Sequence, residues 1–314
     1  MSLIEKAAQR LEQLKQATDE PAGEAAVQSA AVQPAPKPAI AAENQSSEVP
    51  RAAGHTFSRV ISRVAQIDLH RLHAMGMVTP DHPRSAMAEE YRVIKRPLLR
   101  NATATGAAKI DDGNLIMVSS ALPGEGKTFN AVNLAISMAM ELDYTVLLVD
   151  ADVSRPSVLR QLGLPPEKGL MDVLAGDVTD LSDVLLRTNI EKLSILPAGM
   201  PHQRATELLA SEAMTRLLEQ MASRYPDRII IFDSPPLLVT TESRVLATHM
   251  GQIVMVVEAE RTTHALVKQA LATIESCPIK LMVLNKARGQ AASAYYGYSG
   301  YGYGYGDAPR EQAA

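Results

Sequence analysis

Tryptophan is absent from this 314-residue chain, phenylalanine occurs three times, and Cys277 is the only cysteine. A lone cysteine excludes an internal disulfide and suits a reducing compartment. Charge is balanced: 31 Lys and Arg against 35 Asp and Glu leave a formal net charge of −4 with no basic block, so the electrostatic footprint of a nucleic-acid binder is missing. No window reaches the roughly 18 uninterrupted apolar residues of a membrane-spanning helix. The opening stretch MSLIEKAAQRLEQLKQ lacks the apolar centre of a signal peptide. These absences predict a soluble, cytoplasmic protein without nucleic-acid partners. Tyrosine alone among the aromatics is plentiful: there are nine, six of them within the final twenty residues.

Composition divides the chain. In residues 1–17, Leu3, Ile4, Ala7, Ala8, Leu11 and Leu14 fall at helical spacing among Glu, Lys, Gln and Arg, which predicts a short amphipathic helix. Such a helix is marginal alone in water and is expected to dock on something. Residues 18–54 are rich in Ala, Pro, Glu, Gln and Ser, including Pro21, Pro34, Pro36, Pro38 and Pro50. They offer too little apolar surface to bury, and a disordered linker is predicted. Residues 55–100 regain apolar periodicity, break near Pro80 to Pro83, and resume as a helix from about Ser85 to Leu99, a helical preface to the main domain. Between 101 and 288 the apolar runs LIMVSS, YTVLLVDAD, KLSILPAG, RIIIFDSPP, QIVMVVEAE and IKLMVLN alternate with helical segments. That alternation predicts an α/β domain with a mostly parallel sheet covered on both faces. Residues 289–314 form a low-complexity Tyr/Gly tail. His70 and His73 lack further ligands nearby and read as surface residues, Met138 and Met140 as core filler, and Cys277 as structural.

The chemistry concentrates after LIMVSS, where Ala121-Leu-Pro-Gly-Glu-Gly-Lys-Thr128 is followed by a helical stretch. A strand, a glycine-containing loop ending in Gly-Lys-Thr and a helix form a phosphate-binding loop. Gly124 and Gly126 let successive amides face phosphate oxygens, and the new helix adds its positive end. Pro123, Gly124, Glu125, Gly126, Lys127, Thr128 and Phe129 are therefore the nucleotide-binding candidates, with Lys127 toward the β- and γ-phosphates and Thr128 toward magnesium. Two later strands end in Asp150 and Asp152, and in Asp233. Carboxylates at the carboxyl edge of a parallel sheet lie beside such a loop, and magnesium takes oxygen ligands, so Thr128, Asp150 and Asp233 are the candidate metal set. The fold expected is a P-loop NTPase-type three-layer sandwich, with ATP and Mg2+ as cofactors.

With SSALPGEGKT, VLLVDADVSRP, IIIFDSPP and the terminal tyrosines in view, the sequence resembles the bacterial tyrosine kinase family. Those are cytoplasmic autokinases of capsule and exopolysaccharide assembly. MSLIEKAAQRLEQL and EEYRVIKRPLLRNA look like the subgroup of exosortase-associated tyrosine autokinases. The resemblance covers about Ser85 to the C-terminus. It implies autophosphorylation in trans on Tyr295, Tyr296, Tyr298, Tyr301, Tyr303 and Tyr305. It also implies a homo-oligomer, ring-shaped in this family, joined through Glu89, Arg92 and Lys95, the last replacing the family's arginine. A membrane chain-length-determinant (Wzz-like) partner that recruits the chain to the inner face of the cell membrane is implied as well, together with a tyrosine phosphatase. Asn285 falls where related ATPases contact adenine. Ser154 stands where the family's second Walker motif has arginine.

Phosphoryl transfer to a tyrosine needs charge neutralisation at the γ-phosphate, in-line placement and a proton acceptor. Lys127, Asp150, Asp152 and Asp233 are the catalytic candidates, with Asp152 favoured as acceptor and Asp150 not separated from it. Two other readings remain open at this point. One is a partitioning-type deviant P-loop ATPase, although the lysine those proteins carry near the start of the loop is missing. The other is an ATP-binding regulatory module of a polysaccharide copolymerase.

Overall fold

The computed structural model describes residues 64–224 and 227–287. The amphipathic helix and linker expected over 1–54 and the tyrosine tail expected over 289–314 lie outside the described residues.

Eight strands form one sheet in the order β1-β4-β5-β3-β6-β2-β7-β8. They are β1 (Val64–Ala65), β2 (Leu115–Ser120), β3 (Thr145–Asp150), β4 (Leu186–Thr188), β5 (Leu193–Leu196), β6 (Arg228–Asp233), β7 (Gln252–Glu258) and β8 (Ile279–Asn285). Every pairing is parallel except β4 with β5. The fold is a mostly parallel sheet between two helical layers, as the apolar strands demand.

The period-two geometry of a strand distributes each apolar run between the two cores. Ile116, Val118, Val146, Leu148, Ile229, Ile231, Val254 and Val256 face one cluster. Leu115, Met117, Leu147, Val149, Ile230, Phe232, Ile253 and Met255 face the other. The first cluster is closed by α1 (Leu69–Ala74), α2 (Ala86–Ala102), α3 (Lys127–Ala139) and α4 (Val158–Leu162), through Leu72, Leu98, Leu134 and Leu162. The second is closed by α5 (Leu170–Leu174), α6 (Ala205–Leu209), α7 (Glu212–Arg224), α8 (Glu242–Ala247) and α9 (His264–Ala272), through residues such as Leu170, Leu209, Leu218 and Leu246. Helix α3 is the most enclosed: its residues from Asn130 to Ala139 are all buried, Met138 among them.

Three details depart from expectation. The segment 55–100 is not purely helical, because β1 within it joins β4 at the sheet edge, and Asn189 completes the junction by pairing with the Ile67 amide and carbonyl at 2.8 and 3.0 Å. Helix α2 continues to Ala102, past Leu99, and accommodates Pro97 internally. The strand β4 is absent from the apolar runs because it is three residues long and none of them is buried. Cys277 is buried and its thiol contacts the Met250 carbonyl oxygen at 3.3 Å, which fits a structural role. His73 stacks on His82 with ring centroids 3.7 Å apart. Among the described residues no helix is long and apolar enough to cross a membrane.

Candidate functional site

Strands β2, β3 and β6 are adjacent and parallel, so their carboxyl ends open at one point of the sheet edge. Register puts Asp150 directly beside Asp233, and Asp233 beside Val118, two residues before the end of β2. The loop 121–126 leaves β2 there and turns into α3. Gly124 and Gly126 have φ of 85° and 100°, a region that favours glycine. A Cβ on Gly126 would also overlap the Asn285 amide nitrogen.

Within this turn the amides of Gly124, Glu125, Gly126, Lys127, Thr128 and Phe129 find no acceptor among the described residues; the first helical bond of α3 is Asn130 N–H to Gly126 O at 3.0 Å. A run of unpaired N–H groups at a helix start is a cradle for an anion. Two partly exposed side chains flank it. The Lys127 ammonium donates to Asp152 Oδ2 at 2.8 Å, and the Thr128 hydroxyl donates to Asp233 Oδ2 at 2.7 Å, with Ser157 Oγ a further 2.8 Å contact.

The aspartates differ in surroundings. Asp152 is half of the ion pair with Lys127, and its Oδ1 accepts the Arg155 amide at 3.1 Å. Asp150 accepts the amides of Ser157 and Val158 at 2.9 and 3.0 Å through Oδ2, capping α4, while its Oδ1 has no partner. Asp233 is fully buried, and its Oδ1 is likewise unpartnered. Desolvation pushes Asp150 up to about 6, with the charge of Asp152 adding to it. Desolvation likewise lifts Asp233 to about 7, reinforced by Asp150 and Asp152 against the opposing pull of Lys127 and Thr128. Two buried carboxylate oxygens without a partner are rare and call for an explanation. A hard divalent cation that takes oxygen ligands suits this donor set.

Several candidates sit differently from expectation. The Glu125 carboxylate does not face the cradle. It is 2% exposed and turned into its own loop, where Oε2 accepts the Leu122 amide at 2.7 Å and Oε1 accepts the Thr262 hydroxyl. Its amide, like those of its neighbours, is unpaired among the described residues, and an anionic side chain turned toward the cradle would oppose phosphate. The Phe129 ring packs against the core beneath α3, so that residue too offers only its backbone. The Asn285 side-chain amide donates to Glu125 O at 2.8 Å, so it braces the loop. On α2, Arg92 pairs with Glu89 and donates to Pro83 O at 2.8 Å, both side chains part-exposed. Lys95 does not share that surface. It is 4% exposed, donates to Ser137 O, and pairs with Glu141 at 2.9 Å. Burial pushes the Lys95 ammonium down from its ordinary value. Despite desolvation, which acts the other way, the hydrogen bond and charge of Lys95 hold Glu141 below the usual carboxylate range. As a subunit contact Lys95 is corrected to an internal fastener of α2 on α3.

Other functional neighbours escape sequence reasoning. Tyr91, buried on α2, donates to Asn130 Oδ1 at 2.8 Å, and Asn130 Nδ2 donates back to Gly126 O at 2.9 Å. Val78 N–H donates to Asn133 Oδ1 at 2.6 Å. Ser157 touches Thr128 and Asp150, and only its place shortly after the Asp-x-Asp pair signals it. Lys286 donates to Gly124 O at 2.7 Å and pairs with Glu258 at 3.1 Å, with no local signal at all.

Fold and site together define a nucleotide-binding P-loop protein. The AAA domain family matches residues 113–285. The tyrosine-protein kinase YwqD of Bacillus subtilis is 28% identical, the match covering 72% of this chain and 91% of that protein. The succinoglycan biosynthesis transport protein ExoP of Rhizobium meliloti is 31% identical over 72% of this chain, which spans 28% of its length. The kinase domain of the Escherichia coli tyrosine kinase ETK superposes with a TM-score of 0.61 at 26% identity, covering 77% of this chain and 88% of that one. The chain belongs to the AAA domain family, and most of the relatives it matches are named as bacterial tyrosine-protein kinases.

Proposed function

We propose that the protein transfers the γ-phosphoryl group of ATP to tyrosines of its own tail, one subunit acting on another, and that this controls polymerisation and export of an exopolysaccharide. The observation that carries the reading is the cradle of unpaired amides from Gly124 to Phe129, bounded by Lys127 and by the unpartnered oxygens of Asp150 and Asp233.

The amide run and the amino end of α3 receive the phosphates. Lys127 exchanges Asp152 for the β- and γ-phosphates when ATP enters, since a phosphate chain outweighs a single carboxylate as its partner. That exchange frees Asp152 Oδ2, which then accepts the proton of the attacking tyrosine hydroxyl. A tyrosine with an ordinary value near 10 needs such an acceptor at neutral pH. Thr128, Asp150 and Asp233 would hold magnesium; bound there, it supplies charge neutralisation on the β- and γ-phosphates. Ser157 keeps Asp150 and Thr128 in place through its amide and hydroxyl.

Tyr295, Tyr296, Tyr298, Tyr301, Tyr303 and Tyr305 are the acceptors in this reading. In this reading they enter a neighbour's site. Glu89 and Arg92, on the outward face of α2, serve subunit assembly. Each phosphate adds roughly −1.5 to −2 charges at pH 7, and their repulsion would loosen the assembly until a phosphatase removes them. The relatedness to ExoP, whose name places it in polysaccharide transport, supports a membrane chain-length-determinant partner. The exosortase-associated subgroup fits the sequence of α2.

The test is Lys127→Met in the full chain, incubated with ATP and magnesium and probed for phosphotyrosine. Loss of labelling with a still cooperative melting transition is expected, and self-labelling by this variant would overturn the site. A variant that is dead in this assay yet restores polymer export would instead favour the regulatory module.

A further inference from the structure

The phosphate loop is fastened at its tip by three side chains from the β7–β8 side of the sheet. Asn285 at the end of β8 donates to Glu125 O at 2.8 Å. Lys286, the next residue, donates to Gly124 O at 2.7 Å. The third is Thr262, in the turn between β7 and α9, and its hydroxyl is the one that reaches a side chain of the loop. It donates to Glu125 Oε1 while accepting the Glu258 amide at 3.3 Å, and its own amide donates back to Glu258 O at 3.1 Å. The other carboxylate oxygen of Glu125 accepts the Leu122 amide at 2.7 Å, bridging the loop from its first half to its second. An unbroken chain of hydrogen bonds therefore runs from the carboxyl end of β7 through Thr262 and Glu125 to Leu122.

We infer that Thr262 is a positioning residue for nucleotide binding: through Glu125 it holds the phosphate loop with its amides presented outward before ATP arrives. The inference rests on the nucleotide occupying this loop. Two observations make the hydroxyl the determining group. Glu125 is 2% exposed, so its Oε1 has no water to replace a lost donor. Its neighbours Gly124 and Gly126 are the most permissive residues of the backbone, so the curvature between them is fixed by what Glu125 is bonded to. With Thr262 unable to donate, Glu125 turns outward for water, the Leu122 bond opens, and the loop samples arrangements that do not bind phosphate. Apparent affinity falls in proportion to the competent fraction. The transfer step itself is untouched once ATP is bound, because Thr262 contacts neither the aspartates nor Lys127.

The experiment compares Thr262→Val, which keeps shape and loses the donor, with Thr262→Ser, which keeps the donor. Calorimetric titration with ATP and magnesium, initial rates of phosphotyrosine formation and melting temperature are measured on the full chain. For Thr262→Val, Kd and KM for ATP rise about tenfold, equivalent to about 1.4 kcal/mol. kcat stays within about twofold, and Thr262→Ser returns all values to within about twofold of the parent. The inference is overturned if Thr262→Val binds ATP like the parent, if kcat falls in step with affinity, or if Thr262→Ser behaves like the valine variant. A parent chain that binds no ATP refutes the nucleotide site itself, a result distinct from all of these.

Discussion

Replacing Asp233 by asparagine should stabilise the nucleotide-free fold while eliminating phosphotyrosine formation. Asp233 is fully buried at the end of β6, with Asp150 in register beside it. Burial foremost, and the neighbouring carboxylates next, push its value up to about 7, while Lys127 and the Thr128 hydroxyl oppose the rise. Below the unfolded value of 3.8, both states carry the proton and the group contributes its full stability. As pH rises toward the folded value, the unfolded chain releases the proton while the fold retains it, so stability falls through this window and is lost above it. At about 1.4 kcal/mol for each pH unit between the two values, the ceiling is roughly 4 kcal/mol at pH 8. Relaxation around a real buried carboxylate reduces that to about 2 kcal/mol, or about 4–8 °C in melting temperature for a domain of this size. Asparagine keeps an acceptor for the Thr128 hydroxyl, and it puts a donor in place of the unpartnered oxygen. Thermal denaturation of both proteins in EDTA, from pH 5 to pH 8, measures the effect. The melting temperature of Asp233→Asn should exceed the parent's by a margin that widens with pH. A margin that is constant, or reversed at pH 8, refutes the reasoning that this carboxylate is retained at a cost to the fold.

One substitution and one truncation probe other parts of the molecule. Tyr91→Phe removes the hydroxyl that donates to Asn130 and leaves a buried acceptor unsatisfied; denaturant unfolding should show a loss of about 1–2 kcal/mol, and an unchanged midpoint would mean that the bond contributes nothing. Ending the chain after Ala292 removes Tyr295 to Tyr305 and should abolish most autophosphorylation while calorimetry still detects ATP binding; full labelling of the truncated protein would place the acceptors elsewhere.

The fold was legible because a parallel sheet covered on both faces imposes a strong pattern. Runs such as Leu115 to Val118 and Ile229 to Phe232 have every residue buried, and that continuous apolarity is visible in one dimension. What stayed hidden has little apolar surface. Strand β4 exposes Arg187 and carries no buried residue, and β1 has two residues whose only sheet partner is β4, so neither can announce itself by hydrophobicity. Helix α2 outruns its expected end because Ala102 still packs against the core and Asn101 donates to Gln252 Oε1 at 2.9 Å, a partner 151 positions away that no local pattern signals.

The candidate site divides along the same line, between chemistry that constrains residue type locally and support that comes from a distance. Lys127 and Thr128 at the loop's end and Asp150, Asp152 and Asp233 at the strand ends stand in recognisable patterns, because the proposed phosphate and hard cation would restrict what can occupy those positions. Their geometry depends on groups with no such signature. Tyr91 reaches the loop helix across 39 positions, Thr262 reaches Glu125 across 137, and Asn285 reaches its carbonyl across 160. Each of these is an ordinary polar residue in its own neighbourhood and becomes necessary only once folding has brought a buried, unpaired group beside it. The motif therefore names the reactive groups, while the orientation of the glycine turn that presents them is held from α2 on one side and from the β7–β8 edge on the other. A change confined to that turn's supports should alter nucleotide affinity without altering any residue that the motif contains.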